Sequence, residues 1–202
     1  MRSEHTEGHV IARKVDNRKD ILLLLLYSPG RTGSPNEPII GRTRLTKMLF
    51  LFREEALHDF RHGTEVSTDN FYCFFPWNFG PFSSEVYDDL TFFILRGFIQ
   101  SSESQEPSLP ESADEWDKWL SEVGEDMDEP SEYVEEEFTL TQKGVDFANT
   151  LYDGLSKNQK ELLRLFKQKT SSVPLRALLH YVYKQYPDMI GKSTIKDEIL
   201  GG

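Results

Sequence analysis

The 202-residue sequence predicts a mostly α (α+β) fold. Three observations lead there. Apolar residues recur at helical spacing through most segments between turns. Only short runs near residues 39–40, 98–100 and 137–140 read as strands. The last two of these flank a long acidic stretch, so they pair as a small hairpin around an enlarged loop.

A hydrophobic content of 38% supports a sizeable core within one domain. The net charge of −11 is concentrated, because residues 101–137 hold one Lys and 15 Asp+Glu while the remainder is close to neutral. Such a balance does not favour nucleic acid as a partner. The Leu run Ile21–Leu26 is too short to span a bilayer. Met1–Val10 is polar, with Glu4 and Glu7, unlike a secretory signal. One cysteine, Cys73, allows no internal disulfide and leads us to expect a reducing cytoplasm.

In chain order, residues 1–16 read as a loose arm, and residues 17–155 as the core. Asp16 or Asn17 can cap a first helix through Leu26, with its Leu-rich face buried. A loop rich in Pro, Gly and Ser follows, and then a very short strand at Ile39-Ile40. A second helix opens at Gly41–Thr43 with the Thr43 hydroxyl as cap, and Leu45, Met48, Leu49, Phe52 and Ala56 form its stripe. Arg42, Arg44 and Lys47 lie at its start, where cations oppose the helix dipole and need a compensating partner.

The stretch Phe71–Gly97 holds seven aromatics in its first dozen residues, which marks it as the expected heart of the core. Asn78-Gly80-Pro81 breaks the extended run, and Pro81 suits the first turn of a third helix over residues 81–96. Val86, Leu90, Phe93 and Ile94 make its stripe, and Gly97 supplies a left-handed stop. Phe98–Gln100 and Glu137–Leu140 then form the hairpin, and Thr141 caps a helix to about Tyr152. Helix, helix, helix, hairpin, helix is the order of a winged helix, so the core is expected to be winged-helix-like.

Residues 101–136 are the enlarged acidic wing. Within them Ser112–Glu115 is a capping box, and Trp116, Trp119, Leu120 and Val123 share one helical face. Residues 156–202 form a C-terminal helical extension packed on the core. It opens with the capping box Ser156–Gln159 and carries the stripe Leu175, Leu178, Leu179, Val182 and Tyr186 before Pro187.

The stretches GRTRLTKMLFLF, FFPWNFGPFSSEVYDDL, FTLTQKG and LLHYVYKQYPDMIGKS, in that order, resemble the Panacea (SocA-like) antitoxin domain family. The resemblance covers most of residues 17–196 and departs from the family pattern in the Trp-bearing acidic insert. It implies a small antitoxin or adaptor that works by holding another protein, within a toxin–antitoxin or phage-defence system. Some winged-helix relatives bind DNA.

Enzyme chemistry finds little footing. His58 and His62, one turn beyond Glu54 and Glu55, have metal-site spacing but no visible third strong ligand. Cys73 among aromatics is expected to be an inert buried thiol. The chain has no phosphate-binding glycine loop and no Gly-x-Ser-x-Gly elbow. We therefore assign no catalytic residue, cofactor or metal. The primary expectation is contact with a partner protein through Trp77, Trp116, Trp119, Tyr181 and Tyr183. The alternative is a DNA-binding regulator reached through Arg42, Arg44 and Lys47. It is disfavoured because the third helix is expected to expose Glu85, Asp88 and Asp89.

Overall fold

Six consecutive apolar residues cannot confine their side chains to one face of a helix, and this fact shapes the architecture. In the computed structural model, which describes residues 12–107 and 134–201, helix α1 (Arg18–Tyr27) is central. Ile21 through Leu26 have no exposed surface, where the sequence suggested a buried face only. A helix apolar all round needs cover on every side. Strand β5 (Val134–Leu140) and helices α5 (Gln142–Asp153) and α6 (Lys157–Ser171) supply it.

The polar ends of α1 are closed individually. At the start, Asn17 Oδ1 accepts from the Lys19 N–H at 2.9 Å, and Asp20 Oδ2 accepts from the N–H groups of Asp16 and Asn17. At the far end, Lys167 from α6 donates to the carbonyls of Leu26 and Glu37, at 2.7 and 3.0 Å. Burial pushes the Lys167 amine down to about 7, against the upward pull of Glu37.

β5 is the middle strand of a three-stranded antiparallel sheet, between β1 (Ile39–Ile40) and β4 (Ile99–Pro107). Ile39 and Ser101 both lie opposite Phe138, and Ile99 lies opposite Leu140. Phe138 and Leu140 alternate with half-exposed Glu137 and Thr139, so one sheet face enters the core. The fold is mostly helical with small antiparallel sheets, as expected.

Helix α2 (Arg42–Leu51) runs through a π-helical turn, Phe52–Ala56, into α3 (Leu57–Phe60). The expected Thr43 cap is not what starts α2. Gly41, at φ +84°, takes the N-cap position without a side-chain bond, and Thr43 is buried inside the first turn. Pro81 likewise does not open the third helix. It lies in β3 (Gly80–Phe82), which pairs with β2 (Phe75–Trp77), and α4 (Ser84–Leu95) begins two residues after that strand. Gly97 does adopt a left-handed φ of +68° after α4.

The C-terminal elements α6, α7 (Leu175–Gln185) and α8 (Lys196–Leu200) share one continuous core with the rest. Gln159 Nε2 donates to the carbonyls of Phe60 and His62, and Phe166 meets Phe52 edge-to-face at 5.3 Å. Trp116 and Trp119, the helix expected around them, and residues 1–11 lie outside the described residues.

If α1 is the organising helix, Leu24→Ala should cost about 2–5 kcal/mol of unfolding free energy, the range for a fully buried leucine. Leu95→Ala, at a position 80% exposed on α4, should stay within about 0.5 kcal/mol of wild type. Denaturant titration of the two variants decides; similar small losses would place the core elsewhere.

Candidate functional site

The aromatic stretch read as the heart of the core is divided between core and surface. Phe71, Tyr72, Phe74 and Phe79 are buried, but Phe75 and Trp77 are 40% and 46% exposed. Cys73 is also exposed, correcting the expectation of a buried thiol. Alternation along β2 explains the split, because residues 75 and 77 share one face of a strand and residue 74 points the other way.

In the β2–β3 hairpin, Phe75 lies opposite Phe82, Pro76 opposite Pro81 and Trp77 opposite Gly80. An antiparallel ladder alternates between pairs that exchange hydrogen bonds and pairs that do not. Closing the two-residue turn at Trp77 and Gly80 puts both prolines at the pair where no N–H is required. The three rings Phe75, Trp77 and Phe82 then cluster, with centroids 5.4 to 6.4 Å apart. Phe82 continues the row to Tyr87 on α4 at 5.2 Å, and the Arg42 guanidinium lies 5.6 Å from the Tyr87 ring.

The hairpin is held rigidly from behind. At a non-bonded pair the carbonyl points away from the partner strand, and that of Pro81 accepts from Lys47 Nζ at 2.8 Å. The turn carbonyl of Asn78 accepts from the Thr194 N–H at 3.0 Å. Gly80, at φ +83°, lets the chain close on α7, since a Cβ there would lie 2.9 Å from Tyr183 Cε1. Tyr183 in turn shares a 2.7 Å hydrogen bond with Ser193 Oγ, and burial pushes its phenol up to about 12.

Three separated stretches therefore meet here: the start of α2, the aromatic hairpin, and the segment from Tyr183 to Thr194. Between α2, the hairpin and α4 lies a pocket of about 170 Å³, into which Thr43, Lys47, Asn78 and Tyr87 reach. Lys47 is only 2% exposed, and burial alone pushes its amine down to about 7.

The residues expected to meet a partner fare unequally. Trp77 is exposed as expected. Tyr183 is not available, because it is packed behind the hairpin and fully buried. Tyr181 is half-buried, and its hydroxyl donates to Glu55 Oε1 at 2.9 Å beside that of Tyr186 at 3.0 Å. Trp116 and Trp119 fall outside the described residues. Phe75 was not singled out in the sequence, although its alternation with Trp77 pointed to it.

The expected nucleic-acid contacts are engaged inside the protein. Arg44 donates to the carbonyls of Thr170 and Val173, each at 2.9 Å, closing the end of α6. Arg42 pairs with Glu136 and holds that carboxyl below its ordinary range. Lys47 is buried as described. The dipole conflict at the start of α2 is thus resolved by partners on other elements. The carboxylates of α4 are also reassigned: Asp89 is buried against Arg18 and Lys19, at 3.1 and 2.9 Å, and Glu85 pairs with Arg18. Of the three, Asp88 is the exposed one.

His58 and His62 are 6.4 Å apart between ring centres, and His58 contacts Asp59 at 3.0 Å. Among the described residues, no group of three or more His, Cys, Asp and Glu could hold a metal ion, and no helix is long and apolar enough to cross a membrane. No protein-family model, curated protein or solved structure matches the chain.

Lys47 makes a pH prediction. Its folded value, about 7, lies below the ordinary 10.5, so between these the unfolded chain binds a proton that the native state does not. Its contribution to stability therefore rises with pH from about 7, by on the order of 1 kcal/mol per unit. Lys47→Met removes that increment, so its advantage over wild type should shrink steadily between pH 7 and 9. A pH-independent difference in chemical denaturation would mean that Lys47 is charged in the native state.

Proposed function

We propose that this protein is a non-enzymatic, antitoxin-like or regulatory adaptor that binds a partner protein and neutralises or tethers it. On this reading the winged-helix-like core presents the β2–β3 hairpin as its contact element, and the setting is a toxin–antitoxin or phage-defence system. The supporting observation is that Phe75 and Trp77 are both exposed and held in place. Large rings ordered before binding lose little conformational freedom on contact, which is what interface anchors require. Lys47, Thr194 and Tyr183 supply that order from behind.

The second reading, a winged-helix DNA-binding regulator, gains one observation and loses another. Pairing of Glu85 and Asp89 with Arg18 and Lys19 removes two of the negative charges weighed against α4. Arg42, Arg44 and Lys47, however, are committed to protein acceptors. Without those cations the phosphate attraction that sustains DNA affinity is weak.

The test is a capture experiment from source-cell lysate, followed by titration of the protein recovered. Phe75→Ala and Trp77→Ala should melt close to wild type, and each should weaken binding by at least about tenfold, as truncation of an aromatic anchor does. Undiminished affinity in both stable variants would remove the hairpin as the contact. Sequence-selective duplex binding that survives moderate salt in an anisotropy titration would favour the second reading.

A further inference from the structure

Most buried polar groups here are fully accounted for by the fold. Lys167 holds two carbonyls, Arg44 holds two more, and Asp89 receives two cations. The pocket between α2, the hairpin and α4 is lined by polar groups with bonding capacity to spare. Lys47 Nζ has one acceptor, the Pro81 carbonyl, and keeps at least one further N–H whether the amine is neutral or charged. Thr43 is 7% exposed and lines the same pocket, and its hydroxyl has no hydrogen-bond partner among the described residues. The Asn78 side-chain amide, also lining it, has none either. The Thr43 hydroxyl and the Asn78 amide still reach solvent, so a ligand that enters the pocket can bond to them.

Thr43 and Lys47 are i and i+4, so they share one face of α2, and Thr43 lies in the first turn. That turn has a glycine N-cap with no side-chain bond, and it is the positive end of the helix dipole. The opposite wall is aromatic, formed by Trp77, Phe82 and Tyr87. We propose that this pocket binds a small organic monocarboxylate, with the carboxylate received by Thr43 and Lys47 and an apolar or aryl body laid against Trp77 and Phe82. The inference goes beyond partner binding and does not depend on it.

Size and charge select the ligand. A volume near 170 Å³ is comparable to that of an engineered cavity of about 150 Å³ that accepts benzene. One buried amine balances one negative charge; a phosphate dianion would leave a charge unpaired in a low-dielectric site. The titratable and charged groups around the pocket are Tyr87 from α4, Arg42 over the Tyr87 ring, Tyr183 against Gly80 and Lys192 near Trp77. Since burial leaves Lys47 with a value of about 7, receiving a carboxylate draws a proton onto the amine. Affinity should then fall as pH rises from 7 to 9.

Isothermal titration calorimetry with benzoate, indole-3-carboxylate and hexanoate tests this, with benzamide and indole-3-carboxamide as neutral controls. At pH 7 at least one carboxylate should saturate a single site with Kd below about 1 mM, and its amide should bind at least about tenfold more weakly. Thr43→Val should weaken binding several-fold and Lys47→Met should abolish it. The observed enthalpy should differ between phosphate and Tris buffers by the proton taken up. Absence of saturation by all three acids at about 10 mM overturns the proposal. So does binding that is equal for acid and amide, or unchanged by both substitutions. Should Lys47→Met fail to fold, Thr43→Val, the amide comparison and the buffer dependence still decide.

Discussion

The constraint on which the rest depends is the complete burial of Ile21–Leu26 in α1. Six consecutive residues out of contact with solvent leave that part of a helix no exposed face. Everything around it is arranged as cover, with β5 on one side and α5 and α6 on others. Hydrophobic burial is non-directional, so it fixes which elements must enclose α1 without fixing how they connect. Direction comes from the polar ends. The last carbonyls of a helix need donors, and a buried end cannot borrow them from water. Lys167 fills that need for Leu26 and ties the loop carbonyl of Glu37 to the same amine. One side chain thereby sets where the loop and α6 sit relative to α1.

Lys47 repeats the device at the edge of the molecule. Among the described residues the β2–β3 hairpin has three pairs and no third strand, too little to persist unaided. Its outward carbonyl at Pro81 would be orphaned against α2, and the Lys47 amine reaches it. A lysine suits both places because its long stem packs with apolar neighbours while its tip donates. The cost is a desolvated amine, held down to about 7 in each case. Arg44 belongs to the same logic, closing α6 from the start of α2. The cations clustered at the start of α2 are therefore fasteners between elements.

Local signals in the sequence were legible, and non-local ones were less so. The caps at Asn17, Thr141 and Ser156 depend on a few neighbouring residues, and they sit where the sequence put them. The strands at 39–40 and 137–140 and the stop at Gly97 were equally readable. The β2–β3 hairpin was hidden because Pro76 and Pro81 count against strand, and only the pairing register shows them facing one another. Tyr183 could have been found: it is four residues beyond Leu179, on the buried stripe of α7. Lys167 likewise follows Leu163 by four. The residue type argued exposure, and the spacing, which argued burial, was right. Cys73 and Phe74 show the limit of aromatic density as a guide, since adjacent residues of an extended run face opposite ways.

The two activities proposed here meet on one face of the hairpin, so they are physically joined. Phe75 and Trp77 face outward, while Trp77 and Phe82 also line the pocket with Thr43 and Lys47. Lys47 is at once the fastener of Pro81 and the amine a carboxylate would reach. An occupant that draws a proton onto that amine strengthens its bond to the Pro81 carbonyl, because a charged donor binds an oxygen more tightly than a neutral one. The hairpin is then held more firmly and its exposed rings are better ordered. By linkage, whatever a pocket ligand does to partner affinity, a partner does equally to ligand affinity. The sign follows from Lys47: both binding events favour the ordered hairpin, so the two should reinforce one another, unless the partner's own side chains enter the pocket and compete for Thr43.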